Sequence, residues 1–562
     1  MGRVAMIKRR TLLAGGGVAV AGAAVAGGYE LLRRPGRTDA TTSGGNKPNI
    51  LVVVVDQMRA PQWFPGAREL DALLPNLGRL RQSSVSFGAH YTASNACTPS
   101  RGVMTTGLYS HQTGCLYTGE GPSESSLAPQ FPTWGTMLRG QGYRTWWWGK
   151  WHLGAAADTT PDGLDAHGFA GGTYPSPNGA PNQGLQRDPG IVDQFVEWFD
   201  EHAAEGPWCT TVSLVNPHDI MWWPKTPLPQ DVPHVFDAKP PNFETPEDLR
   251  RRGKPRLQVD YVDFVAPLLA GVLPYAGPDV DHQWARGLDV YLWLQQQVDR
   301  QIGRVLDTLA SRPDVDRNTV VVFTSDHGEY GGSHGMRGKG AAIYDEAIRV
   351  PLYIRDPTGR LTPTPGEVRT QLTSSVDLAP LLLTIGAGGN GWRGDSRLAH
   401  LASRADIAGM AASPAARGRP WVAHVTDDIT VEEMAAMMTA AGMPAVTSPG
   451  GPPGKVPTNA PSHVVAVRTP AAKFGVYSHW RPGGMTVDAS REVDLELYDY
   501  STPDGLREVD NLAGRSALQQ KLQGLLDTEV QAEVHAPLPA ALRQAQELGL
   551  ANMQQLTAAR GG

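Results

Sequence analysis

The sequence predicts an α/β protein: a doubly wound sheet with helices on both faces, followed by a smaller C-terminal α+β subdomain with an antiparallel sheet. Three observations predict it. Apolar, β-branched runs recur as short segments that each end in a polar cluster. Segments with helical spacing lie between them. Beyond residues 386–395 the composition shifts, and shorter apolar segments replace the long runs.

Residues 49–55 read NILVVVV. A continuous apolar run of this kind is expected of a parallel strand buried on both faces. Residues 142–148 (GYRTWWW), 208–215 (WCTTVSLV) and 319–324 (TVVVFT) have the same character. From Trp284 to Leu309, apolar positions such as Leu288, Tyr291, Leu292, Val298, Ile302 and Val305 mostly follow helical spacing. Strands alternating with helices build a doubly wound sheet, here expected over residues 48–395. In the expected subdomain, residues 396–562, short antiparallel strands are read at 422–424, 464–468 and 474–479. A Gly/Pro-rich surface loop is read at 448–461 and a helix at 516–532.

The chain has 562 residues, a formal net charge of -6 and 41% hydrophobic residues. That length suits a large domain plus a smaller one. The mild acidity gives no electrostatic reason to expect nucleic acid as a partner. Oligomeric state is not legible. Cys97, Cys115 and Cys209 are the only cysteines. They form no disulfide framework and no CxxC metal site, although Cys115 and Cys209 could pair. Near the start, Lys8-Arg9-Arg10 precedes a run without charge from Thr11 to Tyr29. A basic start before a short apolar run reads as an export signal, and the paired arginines resemble the twin-arginine type. Residues 1–28 are therefore expected to be that signal, with Ala24-Val25-Ala26 as a cleavage site, and 29–47 a polar linker. The expected destination is the periplasm, the cell surface or the medium.

Each long apolar run leads into ionisable residues. They are Asp56-Gln57, Lys150-Trp151-His152, Asn216-Pro217-His218-Asp219 and Ser325-Asp326-His327-Gly328-Glu329. Ligands of open α/β sheets bind beyond the carboxyl ends of the strands, so these clusters suggest one shared site. Asp56, Gln57, Asp326 and His327 offer mostly oxygen donors and one imidazole. That set suits Ca²⁺, Mg²⁺ or Mn²⁺ better than a structural zinc. The segment Asn95-Ala96-Cys97-Thr98-Pro99-Ser100-Arg101-Gly102 places Pro99 just inside a helix start. Cys97 would then stand at the positive end of the helix dipole, near Arg101. A thiolate phosphatase loop would need arginine at position 103, which is Val103.

Cys97-Thr98-Pro99-Ser100-Arg101 resembles the signature of the type I sulfatases of the alkaline-phosphatase-like superfamily. Gly149-Lys150-Trp151-His152-Leu153-Gly154 resembles their second signature. Pro217-His218, residues 324–329 with 335–339, and residues 497–513 resemble further segments, so the likeness spans most of residues 49–513. The resemblance implies an alkaline-phosphatase-like fold and hydrolysis of small-molecule or carbohydrate sulfate esters. It implies that a formylglycine-generating enzyme oxidises Cys97, and that the hydrated aldehyde serves as nucleophile and metal ligand. Asp56, Gln57, Asp326 and His327 would complete the site of one divalent cation, Ca²⁺ first, then Mn²⁺ or Mg²⁺. Arg101 would hold the group at position 97. Lys150, His218 and Lys339 would meet the sulfuryl oxygens or the leaving group, and His152 would deprotonate the second hydroxyl. Gln57 and His327 stand where many sulfatases have Asp and Asn. Asp-Gln with Asp-His resembles the branch that holds choline sulfatases and phosphonate monoester hydrolases. A phosphonate monoester or phosphodiester hydrolase is therefore the alternative activity. Trp222 and Trp223, and less directly His334 and Arg337, are further candidates to face substrate.

Overall fold

The apolar run that starts at Asn49 becomes the middle of the main sheet because both of its faces find cover. The computed structural model describes residues 47–62, 67–118, 125–154, 162–440, 459–481, 486–514 and 516–558, all in one compact unit, Thr42–Gly562. The expected export signal, nearly all of the linker and most of the 448–461 loop lie outside the described residues.

In chain order the strands begin with β1 (Asn49–Asp56), β2 (Val85–Phe87), β3 (His90–Tyr91), β4 (Arg144–Gly149), β5 (Ala170–Gly171), β6 (Trp208–Pro217) and β7 (Thr319–Ser325). They continue with β8 (Leu352–Arg355), β9 (Val368–Arg369), β10 (Thr373–Ser374), β11 (Val422–Asp427), β12 (His463–Arg468), β13 (Ala472–Ser478) and β14 (Asp494–Asp499). The main sheet runs β5-β4-β6-β1-β7-β8-β2-β9. Strands β5, β4, β6, β1 and β7 are parallel, and β8 turns antiparallel to β7 and β2. All positions of β1 are buried. Its side chains alternate between two cores, as a pleated strand requires. Ile50, Val52 and Val54 join Met104, Leu378 and Leu381 on one face. Leu51, Val53 and Val55 join Phe195, Leu288 and Ile302 on the other. The helices α1 (Cys97–Thr106), α2 (Gln183–His202), α3 (Val280–Ala310) and α4 (Leu378–Ala387) supply these covers. Each large aliphatic side chain so buried contributes about 1.5–3 kcal/mol. The expected doubly wound sheet is thus present.

Register sets the site. Val55 is level with Leu214 of β6 and Ser325 of β7, and Gly149 of β4 is level with Ser213. The carboxyl ends of these parallel strands therefore open at one edge of the sheet, with β6 and β4 on one side of β1 and β7 on the other. The tryptophan run of β4 is core on both faces. Trp147 is fully buried in one core, and Trp146 and Trp148 pack against the other.

The C-terminal part forms a separate antiparallel sheet, β11-β12-β13-β14. Strand β14 escaped the sequence reading, because its charged residues interrupt the apolar pattern. This sheet packs behind α1: Val425, Val465, Phe474 and Leu497 share a core with Val103 and Tyr109. Its first strand also grips the segment before Cys97. The Val425 N–H donates to Ala93 O (2.8 Å), and the His424 ring bonds Thr92 O (2.9 Å). Among the described residues, no helix is long and apolar enough to cross a membrane.

Candidate active site

The ends of β1, β4 and β7 and the start of α1 deliver their polar side chains to one buried point. Asp56, Cys97, Asp326 and His327 each offer a ligand atom, and these atoms lie within 4.8 Å of one another. Cys97 Sγ is 3.3 Å from His327 Nε2, 3.6 Å from Lys150 Nζ and 3.7 Å from Asp56 Oδ1. Ala96, at the N-cap of α1, offers no side-chain cap, and the helix dipole adds positive potential behind Cys97.

Arg101, wholly buried one turn along α1, ties the two carboxylates together. Its Nη2 donates to Asp56 (3.0 Å) and its Nε to Asp326 (2.9 Å). Its Nη1 donates to Lys150 O (2.8 Å) and Ser213 Oγ (3.0 Å). Lys150 Nζ reaches Asp56 Oδ2 at 2.7 Å. Ser100 donates to the Asp326 carbonyl oxygen, which pins α1 to the end of β7.

Charge at the centre is strongly perturbed. Burial and the neighbouring Cys97 oppose ionisation of Asp56, but the Lys150 and Arg101 charges outweigh them and hold its carboxyl well below the usual range. Burial and the adjacent Asp56 push Asp326 up. Burial alone would raise the Cys97 thiol, yet Lys150, Lys339 and His327 bring it well below its ordinary value. Burial, then the nearby Lys339 charge, lowers His218 to about 3, so its imidazole is neutral. Its Nε2 accepts from Lys339 Nζ at 2.8 Å. Lys339 also donates to Gln57 Oε1 at 2.7 Å.

The donor set fits a divalent cation. Two carboxylates and a polarised third group converge, and the His327 Nδ1–H faces Gly328 O (3.1 Å), which leaves Nε2 as the ligand nitrogen. Gln57 is adjacent: its backbone N–H donates to Asp326 Oδ1 (3.1 Å), while its amide bridges Lys339 and Glu329.

All ten sequence-predicted residues are buried, and they line or back one centre. Three depart from ordinary backbone geometry or follow a residue that does. Gln57 has φ 70°, His152 φ 59°, and Ala96, just before Cys97, φ 65°. Such conformations cost of order 1–3 kcal/mol each and cluster where a site demands them. Gly149 (φ 92°) needs its lack of a Cβ, which would meet Ser213 O at 2.0 Å. His152 lines the cavity with Cys97 and hydrogen-bonds its side chain.

A cavity of about 510 Å³ opens over this centre, lined by Cys97, His152, His218 and Lys339 among others. Trp222 lines it; Trp223 packs in the core against α3 instead. His334 does not face substrate: it stacks on Tyr344 (centroids 3.5 Å apart) and bonds Glu244 (2.6 Å). Arg337 is likewise turned aside, donating to Trp223 O (3.0 Å) and Gly271 O (2.5 Å). The sequence reading missed Glu329 as a functional residue. It holds the Gln57 amide, and its place in the Ser325–Glu329 cluster was the available signal. It also missed Asp260, Asp427 and Asp428, which line the cavity from segments without a motif.

A cysteine at a helix N-terminus, buried lysines and a converging carboxylate pair suit a hydrolase of anionic esters. Residues 48–388 match the Sulfatase family. The choline-sulfatase of Rhizobium meliloti (strain 1021) is 28% identical over 383 residues, 60% of this chain and 67% of that protein. The phosphonate monoester hydrolase from Silicibacter pomeroyi shares the fold, with a TM-score of 0.61 at 20% identity over 87% of this chain and 96% of that one. So does a structure in complex with its substrate D-glucosamine-2-N,6-O-disulfate, with a TM-score of 0.56 at 20% identity over 87% and 98% of the two chains. The chain belongs to the Sulfatase family and is a sulfuric ester hydrolase.

Proposed function

We propose that this chain is an exported sulfatase that hydrolyses a small-molecule or carbohydrate sulfate monoester with a formylglycine made from Cys97 and one bound divalent cation. The observation that carries this reading is the convergence of Asp56, Cys97, Asp326 and His327 within 4.8 Å at the N-terminus of α1, beside buried Lys150. Family membership supports both the conversion of Cys97 and the cation. Asp56, Gln57, Asp326 and His327 would hold that cation, with Ca²⁺ first and Mn²⁺ or Mg²⁺ next. It would supply charge stabilisation for the sulfuryl oxygens. The hydrated aldehyde at position 97 would supply a nucleophile that can release sulfate by reforming its carbonyl.

The chain's own residues do the rest. Arg101 fixes Asp56 and Asp326 in place. Lys150 and Lys339 present ammonium groups to an anionic ester in a buried site, where such charges act more strongly than in water. Neutral His218 accepts from Lys339 and so aims that ammonium. His152, hydrogen-bonded to the position 97 side chain, is placed to take its proton. Overall, ester and water give alcohol and hydrogen sulfate. Arg9-Arg10 and the uncharged run after them support twin-arginine export, which lets a cytoplasmic formylglycine-generating enzyme act first.

A hydrolysis panel on protein co-produced with that enzyme tests the reading. Sulfate monoesters should give the highest kcat/KM, above an aryl phosphonate and a phosphodiester. A phosphonate or phosphodiester ranking first would establish the alternative activity.

A further inference from the structure

The cavity above the catalytic centre has a wall that the reaction itself does not explain. Leu257, Tyr261, Val265 and Leu269 line it from one side, and Ile429 and Val431 from the segment after β11. Its aromatic groups offer hydrocarbon rather than hydrogen bonds. The Tyr261 hydroxyl donates to Arg337 O (2.7 Å) and Trp222 Nε1 to Gly179 O (2.7 Å). The polar groups outside the catalytic set are largely committed as well. Thr118 Oγ1 accepts from the Thr98 N–H (2.9 Å), and Asp428 Oδ2 from the Ala341 N–H (2.6 Å). Asp427 Oδ1 accepts from His463 and Trp480. A polyhydroxylated sugar would find few partners here, whereas an apolar body would displace water from the whole wall.

Two carboxylates break the pattern. Asp260 lines the same cavity, is 9% exposed, and among the described residues has neither a hydrogen-bond donor nor an ion-pair partner. Asp427 Oδ2, also buried in this wall, has no hydrogen-bond partner. Burial first, then the Glu432 and Asp263 charges, lift the Asp260 pKa to about 7, against the smaller opposing effect of Arg256 and Arg250. Asp427 and Glu433 act on Asp428 in the same sense. The wall is therefore both apolar and electronegative. An unpaired, largely buried carboxylate is a costly element that a cationic ligand group would satisfy. The rings of Trp222 and Tyr261 add attraction for the same charge.

We propose that the alcohol released by this enzyme is an apolar, aromatic-sized body that carries a protonated amine, with Asp260 as the specificity-determining acceptor of that ammonium. The inference rests on the sulfate monoester reading above and narrows its substrate class. The sulfate group meets Lys150 and Lys339, the hydrocarbon meets the Leu257–Leu269 wall, and the ammonium donates to Asp260.

The test compares kcat/KM for tyramine O-sulfate, its uncharged analogue para-ethylphenyl sulfate, the anionic O-sulfate of para-hydroxyphenylacetate and a monosulfated neutral hexose. The ammonium ester should exceed the uncharged one by about tenfold or more, since a charge-assisted bond to a buried carboxylate is of that size. The anionic ester and the hexose should rank below both. In Asp260→Asn the ratio of ammonium to uncharged ester should fall towards unity. A purely structural role would lower both values together and leave the ratio intact, which would overturn the assignment of Asp260. A parent enzyme that turns over the hexose or the uncharged ester as well as the ammonium ester overturns the substrate class. A parent that hydrolyses no sulfate ester at all refutes the underlying activity instead, so the two failures are distinct. Should the variant fail to fold, the ratio in the parent still decides.

Discussion

Arg101 shows how a single side chain sets the electrostatics of the centre. Its guanidinium is 0% exposed and bonds both Asp56 and Asp326. Removing one member of a buried charge network leaves the others unpaired, at a cost of about 3–5 kcal/mol. Arg101→Met should therefore lower the thermal unfolding midpoint substantially and abolish turnover. A variant that unfolds at the parent's temperature would show that the carboxylates find other partners. At this scale the sequence was unusually legible. Cys97 to Arg101 and Gly149 to Gly154 carry a family resemblance, and every residue named from it is buried at one centre. What stayed hidden were residues whose role is a partner's role. Glu329 acts by holding the Gln57 amide, and Asp260 by lining a wall; neither has a spacing that announces it.

Strand β11 connects the C-terminal sheet to the segment before Cys97. His424 bonds Thr92 O, and Val425 bonds Ala93 O, a few residues before Cys97. Burial lowers the His424 pKa from 6.5 to about 4, so the folded protein keeps it neutral. The unfolded chain then binds more protons between those values. This contribution is complete above about pH 6.5 and is lost as pH falls towards 4. One such group gives a slope of about 1.4 kcal/mol per pH unit. His424→Gln should flatten the decline of the unfolding midpoint between those pH values. An unchanged slope would mean that His424 is protonated in the folded protein. Strands were legible where both faces are buried: β1, β4, β6 and β7 lie within two residues of the runs read for them at each end. Strand β14 was not, because DLELYD has one buried stretch beside charged positions, and its pairing with β13 decides its conformation.

At the scale of the whole molecule, the sheet, the helices and the C-terminal sheet exist to bring distant segments together. Asp56 and Asp326 lie far apart in the chain, yet Arg101 bonds both. The doubly wound class follows from the alternation of runs and helices. The packing of the C-terminal sheet behind α1 does not, because it depends on tertiary contacts that no local pattern encodes. Chelation should abolish activity, and Ca²⁺ or Mn²⁺ should restore it. A cation that binds the folded state also stabilises it, by about 2.7 kcal/mol at a hundredfold excess over Kd. Metal-free protein with full activity and an unchanged midpoint would remove the roles given to Asp56, Gln57, Asp326 and His327. Replacing Arg9 and Arg10 by lysine should leave a precursor in the cytoplasm, as cell fractionation would show. Normal export of that variant would exclude the twin-arginine route.

The most direct test of the account is the chemical state of residue 97 in active protein. Peptide mass spectrometry should find the mass loss of a thiol becoming an aldehyde at Cys97, and the converted fraction should track specific activity across preparations. Cys97→Ala should fold without turning over, and Cys97→Ser should be nearly inactive, because its ester could not expel sulfate by reforming a carbonyl. Full activity from protein whose Cys97 is an unmodified thiol would contradict the account.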